Sequence, residues 1–143
     1  MVALNFKAEF VDRIDGGEKT RTIRQTRKAG NPKRGDLMQL YTGMRTKKCE
    51  KIRDVICTSI RPVLINHMGV VLDGRHLWAG DAPAYQGGPQ PDYYDGDFAR
   101  ADGFDCFGDM LDFFDRQYGL PFEGQLIEWS LALAQHQRGP ENG

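Results

Sequence analysis

Apolar residues recur along the chain in short blocks separated by glycine, proline and clustered charge, and the spacing within each block predicts its element. Residues 3–6 form a first apolar segment of strand length. Phe10, Val11 and Ile14 then recur at helical spacing over residues 9–15, a short helix that Gly16 and Gly17 terminate. Thr20, Thr22 and Ile23 favour an extended chain, so the glycine turn leads into a short strand carrying several cations. Residues 25–34 are polar, basic and broken by Gly30 and Pro32, which reads as a loop. A strand follows at residues 37–42, then a basic hairpin tip at 43–48. Residues 51–66 are rich in β-branched positions and interrupted by Pro62, giving one bent strand or two. Val70, Val71 and Leu72 form a further strand closed by Asp73 and Gly74.

Residues 77–90 shift to glycine, proline and alanine around Trp78 and Tyr85, so an irregular loop is placed at 77–92. Regular spacing returns with Phe107, Met110, Leu111, Phe114 and Tyr118, an amphipathic helix ended by Gly119 and Pro121. A last strand runs over residues 125–133 through Leu126, Ile127, Trp129 and Leu131. Several short strands with few helices predict an α+β fold, a small mixed β-barrel flanked by two or three helices, rather than a layered α/β sheet. The 143 residues fit one domain over 1–134 with a polar tail at 135–143.

Composition changes this picture little. At 40% hydrophobic and 27% charged residues the chain is ordinary for a globular protein. It has no apolar run of the ~20 residues that span a bilayer and no secretory segment at its start, so no membrane partner and a cytoplasmic location are expected. Cys49, Cys57 and Cys106 do not make a disulfide framework, and with His67, His76 and His136 they lack zinc-knuckle spacing, so no metal or other cofactor is expected. Charge is more informative. The net −1 divides into +8 through Arg61 (15 cations, 7 acids) and −9 from Pro62 onward (4 cations, 13 acids), so part of the asymmetry should be neutralised where the two regions meet. Basic surface left over suits nucleic acid or nucleotide phosphate.

The stretch from Gly16 to Arg24 carries the chemistry. In a strand Thr22 and Arg24 share a face, and Lys19 joins them where the entry bulges or turns. An ammonium, a hydroxyl and a guanidinium beside a glycine-lined backbone suit a phosphate, a carboxylate or a polar base edge. The same residues also fit a plain solvated face. Arg45, Lys47 and Lys48 on the hairpin tip are supporting phosphate contacts. Asp92, 95, 97, 102, 105, 109, 112 and 115 form an acidic segment that does not match a calcium loop. Asp109, Asp112 and Asp115 fall on the outer helix face. Asp102, placed before the helix, can reach into a cleft, cap amides, or do both. Trp78, Tyr85, Tyr93 and Tyr94 either offer a base a stacking surface or pin the loop.

The order strand, short helix, Gly17-x-Lys19-x-x-Thr22-x-Arg24, a Gly35-Asp36 turn into a strand, Leu-Tyr-Thr-Gly, several strands, Asp102-Gly103-Phe104 before a helix and a closing strand resembles the ASCH domain of the PUA-like superfamily, over residues 3–131. The resemblance implies a small barrel with a cleft between barrel and helix, lined by the Lys-x-x-Thr-x-Arg strand. It implies binding of RNA or a nucleotide through Lys19, Thr22, Arg24 and Asp102. It also implies a hydrolase alternative: an amidohydrolase on acetylated cytidine, or a metal-independent ribonuclease, with Lys19, Thr22 and Asp102 catalytic. Asp102 is one methylene shorter than the glutamate of the amidohydrolase branch, and proton transfer is sensitive to such a displacement. A third reading is a protein-interaction module that uses the acidic segment 92–115.

Overall fold

A computed structural model describes residues 2–83 and 91–131. The elements run β1 (Val2–Phe6), a 3-10 turn (Ala8–Phe10), α1 (Val11–Asp15), β2 (Arg21–Arg24), β3 (Leu37–Thr42), β4 (Glu50–Asn66), β5 (Gly69–Leu72), β6 (Arg75–His76), α2 (Asp95–Ala101), α3 (Phe107–Tyr118) and β7 (Phe122–Ser130). The class is mixed α+β, as the alternation predicts. β1 pairs with β3 in parallel, Val2 opposite Met38 and Phe6 opposite Thr42. The β3–β4, β4–β5 and β5–β6 pairs are antiparallel. β7 pairs with both β2 and β4, which completes a seven-stranded sheet.

The expected barrel is not what the described strands form. Their path runs β1-β3-β4-β5-β6, with β7 joining β2 to β4, and is not closed. Among the described residues no helix is long and apolar enough to cross a membrane.

Contacts gather the chain into two compact units. The first takes residues 2–22, 27–60 and 127–131 of the described chain. Its core follows from period-2 alternation. Val2, Leu4 and Phe6 face inward from β1, Met38 and Leu40 from β3, Val55 and Cys57 from β4, and Ile127 and Trp129 from β7. Ile14 of α1 closes the cluster, and Phe6 meets Trp129 edge to face at 5.9 Å. α1 stops at Gly16, and Gly17 takes a φ of 82° that a side chain would resist, so the chain turns into β2.

The second unit takes residues 23–26 and 61–126. Val63 and Ile65 of β4, Val70 and Leu72 of β5, and Phe122 and Leu126 of β7 pack with Phe98 of α2 and with Met110 and Phe114 of α3. α3 behaves as its spacing predicts: Met110 and Phe114 are buried while Asp109, Asp112 and Asp115 are exposed. One choice left open by the sequence is resolved and one boundary differs from it. β4 is one continuous strand through Pro62, which the sheet tolerates because the Pro62 carbonyl still accepts from Asp73 N–H at 2.8 Å. β7 begins at Phe122, ahead of the expected residue 125. Part of the expected irregular loop 77–92 lies outside the described residues, as does the tail 135–143.

α2 was not anticipated. Its apolar content is one phenylalanine and two alanines, and its aspartates turn inward, so no amphipathic stripe marks it.

Gly124 marks the tightest backbone approach in the second unit. A Cβ there would lie 2.3 Å from the Arg24 carbonyl oxygen and 2.9 Å from the Phe122 ring. Gly124→Ala is expected to destabilise the protein by about 3 kcal/mol, the upper end for overpacking, because backbone cannot swing aside. Gly108→Ala, where the nearest atom is 3.8 Å away and the backbone is helical, should stabilise or be neutral. Urea melts of the two variants check the contrast.

Candidate functional site

In the first unit the entry to β2 is unusual for what it buries. Lys19, Arg21 and Thr22 are only 2%, 4% and 5% exposed. Lysine and arginine are rarely buried unless something meets their charge. The Lys19 ammonium lies 5.1 Å from the centroid of the Phe10 ring, a cation–π arrangement, and its backbone N–H donates to the Arg13 carbonyl at 2.9 Å. Arg21 Nη1 approaches Glu128 Oε2 at 3.8 Å. Thr20 accepts from Trp129 N–H at 3.0 Å, which fastens the strand to β7. Gly17 makes room for this junction, since a Cβ there would stand 3.2 Å from Leu131. A cation so desolvated acts on an approaching anion or carbonyl through a low-dielectric path, more strongly than one in bulk water.

The expected group is divided between the units. Lys19 and Thr22 belong to the first, together with Arg45, Lys47 and Lys48; Arg24 and Asp102 belong to the second. Arg21 was read in the sequence only as one more strand cation.

Arg45, Lys47 and Lys48 are exposed on the turn between β3 and β4. The turn is well held. Thr46 Oγ1 donates to the Gly43 carbonyl at 2.6 Å, and Met44 N–H donates to Asn5 Oδ1 at 2.9 Å.

Asp102 is buried in the segment between α2 and α3. It caps the C-terminus of α2, its N–H donating to the Phe98 and Ala99 carbonyls at 3.1 Å. α3 begins only at Phe107, and its N-cap is Cys106 with no side-chain cap bond. Arg24 is half-buried at the end of β2.

Much of the acidic segment has internal work. Asp92 pairs with Arg61 at 3.1 Å, and Asp97 and Asp81 both hold Arg100. Asp95 Oδ1 accepts from Gly80 N–H at 2.9 Å, and Asp97 Oδ2 from Ala82 N–H at 2.8 Å. Burial pushes the Asp95 carboxyl above the usual carboxylate range, the amides of Gly80 and Gly96 pull it part of the way back, and the Asp81 charge raises it. Asp105, Asp109, Asp112 and Asp115 remain exposed.

A cleft of about 590 Å³ opens in the second unit, floored by Pro62, Leu64 and Val71 and edged by Gln25, Thr26 and Glu123. None of the expected site residues lines it. Of the four aromatic residues singled out, Tyr85 lies outside the described residues, and Trp78, Tyr93 and Tyr94 sit together in the second unit. Among the described residues no three histidine, cysteine or acidic side chains are grouped to hold a metal ion. No protein-family model, no curated protein and no solved structure matches this chain.

Two outcomes follow from the buried titratable groups. Burial, with the Asp36 and Glu128 charges adding to it, holds the Cys57 thiol above its ordinary value, whereas Cys49 and Cys106 are exposed. In native protein Cys49 and Cys106 should react with an aromatic disulfide reagent, and Cys57 only after unfolding; mass spectrometry of the labelled peptides checks this. Asp95 binds its proton more tightly folded than unfolded, so the cost of ionising it is absent below the unfolded pKa and appears as pH rises toward the folded one. Asp95→Asn keeps an acceptor for Gly80 and removes that cost. Its stability relative to wild type should therefore improve as pH rises above the ordinary carboxylate range, and melting curves that keep a constant offset as pH rises would contradict the assignment.

Proposed function

We propose that the chain is an RNA- or nucleotide-binding protein of ASCH type, with its main anion-attracting group at the entry to β2. The observation that carries this reading is the burial of Lys19 against the Phe10 ring, beside Arg21 and Thr22. Holding an ammonium out of water is costly unless its charge is met, so a buried lysine at a strand entry is a feature the fold keeps against that cost. Lys19 addresses a phosphate or a base carbonyl, and the Thr22 hydroxyl donates or accepts at a base edge. Arg45, Lys47 and Lys48 add phosphate contacts from an exposed turn. Arg24 and Asp102 enter through the sequence resemblance, the guanidinium toward phosphate and the carboxylate toward an exocyclic amine.

Lys19→Met, which keeps the apolar stem and removes the charge, should weaken binding of the preferred ligand about tenfold or more, as should Arg24→Ala. Calorimetry against nucleosides, nucleotides and short single-stranded RNA measures both, with circular dichroism to verify folding. Removing Arg45, Lys47 and Lys48 together should lower the salt slope of RNA binding by about 2, at ~0.7 per phosphate contact on a single strand. Unchanged affinity in the Lys19 and Arg24 variants at low salt overturns the reading. Turnover of acetylated cytidine that is lost in Thr22→Ala would reassign the same residues to hydrolysis.

A further inference from the structure

Strand alternation gives the end of β4 and the whole of β5 one face toward the core of the second unit, and Val63, Ile65, Val70 and Leu72 occupy it. The opposite face of such a hairpin is ordinarily polar. Here Leu64 and Val71 stand directly opposite each other on it, and Pro62, two residues before Leu64, lies on the same side. Neither Leu64 nor Val71 belongs to the core, yet both are half-buried.

The cleft described above lies on this apolar patch, and its lining belongs wholly to the second unit. Its volume of about 590 Å³ falls within the roughly 300–1,000 Å³ of small-molecule sites. Gln25 and Thr26, just past β2, and Glu123 of β7 edge the floor of Pro62, Leu64 and Val71. Among the described residues the side chains of Gln25, Thr26 and Glu123 make no hydrogen bond or ion pair. An amide, a hydroxyl and a carboxylate are thus left at the rim of an apolar floor, the combination that orients and holds a small ligand.

Charge decides the class of ligand. Among the residues lining the cleft Glu123 alone is charged. Arg24, Arg75 and His76 neighbour lining residues in sequence or register but do not line it. The unit as a whole carries 5 arginines and no lysine against 10 aspartates and Glu123, a formal −6, and it stays negative with Asp95 counted as protonated. A phosphate or carboxylate brought to the cleft meets Glu123 with no lining cation to answer it. An ammonium instead gains a charge-assisted hydrogen bond there, and an apolar body attached to it has the floor to cover. We propose that this cleft binds a small organic cation, an amine carrying an apolar ring or chain, with the ammonium at Glu123 and the body on Pro62, Leu64 and Val71. Neither Lys19 nor Thr22 lines it, so the proposal does not rest on the nucleic-acid reading.

The test uses three probes that share an indole ring and differ in charge: tryptamine, the neutral alcohol tryptophol and the anion indoleacetate. Proton–nitrogen correlation NMR of the full chain follows each titration and locates the amides that shift. Tryptamine should bind about threefold to fivefold more tightly than tryptophol, the scale of one solvent-exposed ion pair, and indoleacetate more weakly than both. The shifted amides should be those of Gln25, Thr26, Leu64, Val71, Gly74 and Glu123. Glu123→Gln should erase the tryptamine advantage and leave tryptophol affinity unchanged, which also shows that the cleft of the variant is intact. Leu64→Gln, on the face away from the core, should weaken tryptamine and tryptophol alike. Equal affinity of the wild type for tryptamine and tryptophol overturns the proposal, as does a tryptamine preference that survives Glu123→Gln. Shifts confined to amides outside the lining, or no binding of tryptamine at millimolar concentration, overturn it as well.

Discussion

A charge taken out of water has to be met inside the protein, and much of the local structure here is the way these charges are met. Lys19 and Arg21 are buried in the first unit, and Asp95, Asp97 and Asp102 in the second. Each brings geometry with it. Arg21 reaches Glu128 and Lys19 lies against Phe10, so the basic strand is seated beside β7 and the N-terminal turn. Asp95 and Asp97 collect backbone amides from a segment that has no regular structure of its own, giving it donors' partners that a sheet or helix would otherwise supply. The charge division along the sequence is resolved in the same manner. Arg21 with Glu128 and Arg61 with Asp92 each join a cation from the basic part of the chain to an acid from the acidic part.

What the sequence discloses is whatever period or punctuation carries. The inward faces of β1 and β3, the stop of α1 at the glycines and the buried stripe of α3 all follow from spacing that only one element satisfies. The continuity of β4 was left open because Pro62 is compatible with a break, and pairing with β5 on one side of the proline is what keeps it a single strand. α2 was illegible for a physical reason. Its buried aspartates invert the usual polarity rule, and they are buried for partners at Gly80 and Ala82, far away in sequence, that no local pattern announces. Asp102 was read only as preceding α3, and that it also ends α2 went unread for the same reason.

The candidate chemistry was legible to a similar depth. A glycine turn followed by lysine, threonine and arginine marked the entry to β2 as unusual, and the burial of Lys19 and Thr22 gives that mark substance. Burial itself could not be read in advance, because the same residues on a solvated strand would give an identical pattern. Arg21 escaped notice because alternation assigns it away from Thr22, and strand faces that are both buried defeat the rule that one side is wet.

β7 has a consequence for how the chain is made. Phe122 and Leu126 complete the core of the second unit, and Ile127 and Trp129 complete that of the first. Both cores thus wait on the last described strand. While a ribosome extends the chain, Leu4, Met38 and Val55 have no finished interior to enter, and neither do Val63, Ile65 and Phe114. Neither core is complete until this strand has joined it.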